Sequence, residues 1–128
     1  MKTQITVGMA MLAGFGLGIV AISGLHAQVK STVYLVEEID VSNLDAFQKE
    51  FAPKIGAVNK AAGIRTLVAG GKVTVIDGPP PKGRVVIQAW DSVENAQAFR
   101  NSPEFKEAKA IGDKYATYRS FLVEGVPQ

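Results

Sequence analysis

The chain predicts a single α+β domain: an antiparallel sheet with two helical regions lying on one of its faces. Three observations carry that prediction. Alternating apolar segments are interleaved with helical stripes in the order β-α-β-(β)-β-α-β. Each helical segment is apolar along one stripe only, so both helical regions need a sheet to cover. The 128 residues, less an apolar leader, are enough for one core of ordinary size and too few for two.

The leader comes first. Met1-Lys2-Thr3-Gln4 carries one Lys, and the 21 positions from Ile5 to Leu25 contain no charged residue. Gly24-Leu25-His26-Ala27-Gln28 then offers the small Ala27 as a cleavage position. A positive start, an apolar run and a small residue ahead of a polar chain make residues 1–27 a secretory signal peptide. The run is also long enough to cross a bilayer, so a retained N-terminal anchor is the alternative. Either way residues 28–128 are expected to be exported, to the periplasm or beyond, and the chain meets a membrane only if the leader stays. The glycine-rich Gly14-Phe15-Gly16-Leu17-Gly18 follows no strand and is not read as a phosphate loop.

Thr32–Val41 reads as the first strand, with Val33, Leu35, Ile39 and Val41 on one side and Tyr34, Val36, Glu38 and Asp40 on the other. Glu37 interrupts the first side. Ser42 or Asn43 caps a helix whose stripe is Leu44, Phe47, Phe51, Ile55, Val58 and Ala62. Pro53 removes a backbone donor and predicts a break near Lys49–Pro53, while Gly63 ends the helix. Ile64–Ala69 and Val73–Asp77 read as extended segments around Gly70-Gly71, a hairpin or one bulged strand. Gly78-Pro79-Pro80-Pro81-Lys82-Gly83 is a stiff connection. Arg84–Trp90 is the cleanest strand. Asp91-Ser92-Val93-Glu94 forms a capping box, and Ser102-Pro103-Glu104 starts a second helical piece. Val93, Ala96, Phe99, Phe105, Ala108, Ile111 and Tyr115 face inward, and Thr117–Glu124 is the last strand.

That order is the ferredoxin-like β-α-β-β-α-β arrangement, with both helices on one face of the sheet. On parity, the uncovered face carries Tyr34, Val36, Val86 and Trp90. Four such groups amount to several hundred Å² of apolar surface, near the limit for a lone domain. A second copy of the sheet would cover it, which predicts a symmetric homodimer.

Composition narrows the chemistry. Net charge is +2, too balanced to argue for nucleic acid, and there are no cysteines. After cleavage at Ala27 the 101-residue remainder has 13 basic and 12 acidic residues and contains no His, Cys or Met. Such a chain has no imidazole base, no Ser–His pair, no His-ligated haem and no ordinary zinc site. No D-x-D-x-D-G loop offers a carboxylate metal site, so neither a cofactor nor a metal is expected.

Several blocks resemble domain-of-unknown-function family 1330: Tyr34-Leu35-Val36, Gly63-Ile64-Arg65-Thr66-Leu67-Val68-Ala69-Gly70-Gly71, Arg84-Val85-Val86-Ile87, Asn101-Ser102-Pro103-Glu104-Phe105 and Leu122-Val123-Glu124-Gly125. The resemblance implies a dimeric α+β barrel, a superfamily that includes cofactor-free and haem oxygenases, lactone isomerases and ligand-sensing domains. It implies no established activity. Ile64 stands where the family usually shows a second glycine, and Ala69 where an arginine is common, so any ligand role of that arginine is missing here.

The candidate ligand-binding residues are Tyr34, Glu38, Gln88 and Trp90, placed by parity inside the space between paired sheets, with Arg84 at its mouth. Glu38 and Tyr34 are the candidate catalytic groups, and Arg65 and Arg119 lie on strands whose faces parity leaves open. The expected function is an exported homodimeric binding domain for a small, mainly apolar organic compound. A cofactor-independent oxygenase or isomerase using Glu38 or Tyr34, and a structural or partner-binding module, are the alternatives. Ser102-Pro103-Glu104 is read as a helix cap, since no base is available to activate the serine.

Overall fold

The computed structural model describes residues 31–128, so the predicted signal peptide and its cleavage position lie outside the described residues. The elements run β1 (Val33–Val41), α1 (Leu44–Ala46), a π-helical turn (Phe47–Phe51), α2 (Ala52–Ala61), β2 (Arg65–Ala69), β3 (Arg84–Trp90), α3 (Val93–Arg100), α4 (Pro103–Gly112) and β4 (Ala116–Glu124). All neighbours in the sheet are antiparallel, in the order β2-β3-β1-β4. This is the ferredoxin-like α+β arrangement expected from the element order.

Local chemistry explains the helix boundaries. The Asn43 side chain caps the first helical segment by accepting from the Ala46 N–H at 3.1 Å, and Ser42 instead donates its hydroxyl to the Tyr115 carbonyl at 2.9 Å. The break expected near Pro53 is the π-helical turn over Phe47–Phe51. Pro53 lacks the N–H that would reach the Lys49 carbonyl, and a wider turn ahead of it absorbs the mismatch. Gly63, at φ +68°, closes α2: its N–H bonds to the Lys60 carbonyl at 3.1 Å and that of Ile64 to Asn59 at 3.1 Å. Ser92 caps α3 by accepting from the Asn95 N–H at 3.0 Å, so the cap lies one residue beyond the predicted box at Asp91. Ser102 caps α4 as expected, accepting from the Phe105 N–H at 3.3 Å.

One predicted strand is absent. Residues 72–77 form no ladder and lie in an exposed connection to β3, with Ile76 96% exposed. The bulge lies earlier, within β2 between Thr66 and Val68. With Gly70-Gly71 and three prolines close on either side, this stretch has too little regular backbone to pair.

The register assigns every strand residue to a face. Directly opposed residues of an antiparallel pair point the same way. Leu35 opposes Gln88, Glu37 opposes Val86 and Ile39 opposes Arg84 on β3, while Ile39 opposes Tyr118 and Glu37 opposes Ser120 on β4. The helices cover this face. Its densest cluster joins Ile39, Phe47, Phe51 and Ala116, with Val41, Ile55, Val86, Ile111, Tyr115 and Tyr118 packed around it. Tyr34, Val36 and Glu38 oppose Ala89, Ile87 and Val85, and Val123, Phe121 and Arg119 on the other side, making the helix-free face. Val86 and Trp90, expected on that face, belong to the covered one. Parity within β3 is as expected, but pairing with β1 inverts which set faces the helices.

The chain comes closest to itself where loop meets sheet. A Cβ on Gly83, at φ +74°, would stand 2.1 Å from the Ile39 carbonyl oxygen, whereas one on Gly71 would meet nothing within 4 Å. Gly83→Ala is therefore expected to cost well over about 1 kcal/mol, and Gly71→Ala to stay within about 0.5 kcal/mol of wild type, both read from denaturant unfolding midpoints.

Candidate functional site

A cavity of about 230 Å³ lies inside the domain, between the covered face of the sheet and the helices. Leu35, Ile39 and Val86 form its apolar floor, and Phe47, Phe51, Ile55, Phe99 and Phe105 its roof. The aromatic roof is continuous in places: Phe47 and Phe51 lie 4.8 Å apart and Phe99 and Phe105 5.2 Å apart, centroid to centroid. Among the described residues no large side chain is completely buried, as expected of a core with space left between its layers.

Polar groups enter this apolar space at defined points. Glu37 is the residue that breaks the apolar side of β1. It faces the helices, accepts from the Ser120 hydroxyl at 2.5 Å and pairs with Arg100 at 3.5 Å. Arg100 lies over the Phe105 ring at 4.7 Å, so its charge is held between a carboxylate and an aromatic face. Gln88 is only 7% exposed, and its amide oxygen accepts from the Trp90 indole N–H at 3.3 Å. Lys109 pairs with Asp113 and stands 3.9 Å over the Tyr118 ring.

Arg84 differs from these cations. No ion pair or hydrogen bond engages its guanidinium among the described residues, and its one aromatic neighbour is Phe47, 6.0 Å away. Its position depends on Gly70, where a Cβ would fall 2.5 Å from one guanidinium nitrogen. Tyr118 depends on a second glycine in the same way: a Cβ on Gly112 would fall 2.2 Å from its hydroxyl.

Among the described residues two buried side-chain polar atoms have no partner, the Tyr118 hydroxyl and the Asn59 amide oxygen, and both residues line the cavity. Burial, reinforced by the negative charges of Glu37 and Asp113, pushes the Tyr118 phenol above its ordinary value of 10.0. The hydroxyl therefore keeps its proton and acts as a donor. Among the described residues no three acidic, His or Cys side chains converge to hold a metal.

The sequence-predicted site is split between the two faces. Arg84 and Gln88 line the cavity, and Trp90 stacks on Phe99 at 5.4 Å on the same covered face. Tyr34 and Glu38 lie on the helix-free face, where Glu38 pairs with Arg119 of its own chain at 3.0 Å. Arg65 opposes Ala89 and shares that face. The five candidates therefore do not form one pocket, because Val36 opposes Ile87 and not a neighbour one residue away. Glu37, Asn59, Arg100 and Tyr118 were missed. Only Glu37 left a sequence signal, a lone charge within the apolar alternation of β1.

Known proteins bear on the fold. A protein of unknown function from Rhodopseudomonas palustris, RPA0582, superposes with a TM-score of 0.57 at 13% identity, covering 83% of this chain and 92% of its own. The methylated form of the same protein matches at the same TM-score, covering 90% of its own chain. A conserved protein of unknown function from Bacteroides thetaiotaomicron, described as a possible oxidoreductase, matches with a TM-score of 0.52 at 13% identity, over 74% of this chain and 98% of that one. No curated protein matches. The model of the Domain of unknown function (DUF1330) family matches residues 32–126, nearly the whole described domain, and the chain belongs to that family.

Proposed function

We propose that the protein is an exported, homodimeric small-molecule-binding domain whose site is the cavity between sheet and helices. The observation that carries this reading is the pair of unpartnered buried groups, Tyr118 hydroxyl and Asn59 amide oxygen, on the wall of one apolar cavity. A buried hydroxyl or amide without a partner costs about 1–3 kcal/mol. A ligand offering complementary groups would offset that cost, and an aromatic and aliphatic lining with a few polar groups is the usual character of such sites. At about 30 Å³ per water, the 230 Å³ holds the equivalent of a compact organic molecule.

The dimer is argued from the helix-free face. Tyr34, Val36, Val85 and Ile87 continue into Phe121 and Val123, which are 41% and 48% exposed. This is a broader apolar surface than the one inferred from parity, and a second sheet would remove it from water. Export rests on the leader pattern in residues 1–27.

A cofactor-independent enzyme is the second reading. It is favoured by Glu37 and Tyr118, an acid and a proton-holding phenol on the same cavity wall. The Bacteroides neighbour's description as a possible oxidoreductase points toward chemistry of some kind, though at 13% identity the likeness concerns the fold.

Thermal-shift screening of the full chain against small neutral and acidic aromatics is expected to raise the melting temperature for a subset, and a flat response across a broad panel would sink the ligand-site reading. Tyr118→Phe is expected to leave stability unchanged or to raise it by about 1 kcal/mol, since it removes the unpartnered hydroxyl; destabilisation in chemical denaturation would show that the hydroxyl is satisfied after all. Phe121→Glu is expected to halve the particle mass in light scattering while circular dichroism stays unchanged.

A further inference from the structure

We propose that the cavity takes a compact organic acid, with its carboxylate on the Arg84 guanidinium and its body along the apolar lining. This rests on the reading that the cavity is a ligand site, and it assigns the class of ligand.

Charge accounting points to an anion. Three charged groups besides Arg84 line the cavity, and each is matched: Glu37 with Arg100, and Lys109 with Asp113 just outside the lining. Arg84 is left as the one uncompensated charge on the wall, among the described residues. A part-buried guanidinium with no counter-ion is costly to hold, and its planar fork matches a carboxylate. Gly70 leaves room for this group and for no Cβ.

Arg84 stands apart from the other polar groups of the wall. Arg84 and Tyr118 flank Ile39 in one row across β3, β1 and β4, so their Cα atoms are about 10 Å apart, two strand spacings. The guanidinium lies against Gly70, on the side of β3 away from β4, so an anion on it is held by Arg84 and not by the phenol.

Beyond Arg84 the lining is apolar: Leu35, Val86, Ile55 and Phe51. The wall is thus cationic at one point and greasy beyond it, which suits a carboxylate carried on an apolar body.

Two probes separate charge from shape: 4-hydroxybenzoate and its neutral analogue 4-hydroxybenzyl alcohol. Titration calorimetry on the full chain is expected to show 4-hydroxybenzoate binding about tenfold or more tightly than the alcohol. Arg84→Gln should bring the acid down to the alcohol. If the alcohol binds wild type as tightly as the acid, the cavity is a ligand site but not an acid receptor, and the proposal falls alone. A preference for the acid that survives in folded Arg84→Gln also overturns it. If neither binds, the proposal and the ligand-site reading fall together. The wild-type comparison stands even if a variant fails to fold.

Discussion

The pairing of β1 with β3 is the constraint on which the rest of the molecule depends. With Val36 opposite Ile87, the alternate residues Arg84, Val86, Gln88 and Trp90 share a face with Leu35, Glu37 and Ile39, and that is the face the helices cover. A shift of one residue would exchange the two sets. Arg84 and Gln88 would then face the helix-free side, and the valines and isoleucine now outside would fill the cavity wall. The position of every polar group in the site follows from this register.

Within that frame, small residues decide where charge can stand. Gly70 admits the Arg84 guanidinium and Gly112 admits the Tyr118 hydroxyl, each at a separation that no Cβ would permit. The helix roof supplies aromatic rings to the two arginines, with Phe47 near Arg84 and Phe105 under Arg100. A domain of this size has a net stability of about 5–15 kcal/mol, so two unpartnered buried groups at about 1–3 kcal/mol each are a visible share of it. Native proteins carry few such groups, and departures from full pairing concentrate at functional or strained sites.

The two faces of the sheet carry different kinds of polarity. On the helix-free side the Glu38–Arg119 pair closes on itself between neighbouring strands, beside the apolar run of Tyr34, Val36, Val85, Ile87, Phe121 and Val123. On the covered side the charges sit in a partly open cleft of low polarity, where desolvation makes each unmatched group consequential. This contrast separates the surface suited to a second copy of the chain from the space suited to a small ligand.

Much of the architecture was legible in the residues alone. Helical stripes, the caps at Asn43 and Ser102, the stop at Gly63 and the irregular turn before Pro53 are local effects, settled within one or two helical turns. The order of elements then leaves the ferredoxin-like sheet as the natural arrangement. Alternation along β3 likewise revealed two sets of side chains, but not which set the helices would cover. That choice belongs to contacts with β1, more than forty residues away in the chain, with the first helical region, β2 and a proline-rich connection between them and no tight turn to set the register. Tyr118 and Asn59 were illegible for the same reason, since an unpartnered atom is a property of its surroundings and not of its own residue. Sequence determined the elements and their order through local backbone chemistry; tertiary pairing decided the faces, and with them the cavity and the charge it holds.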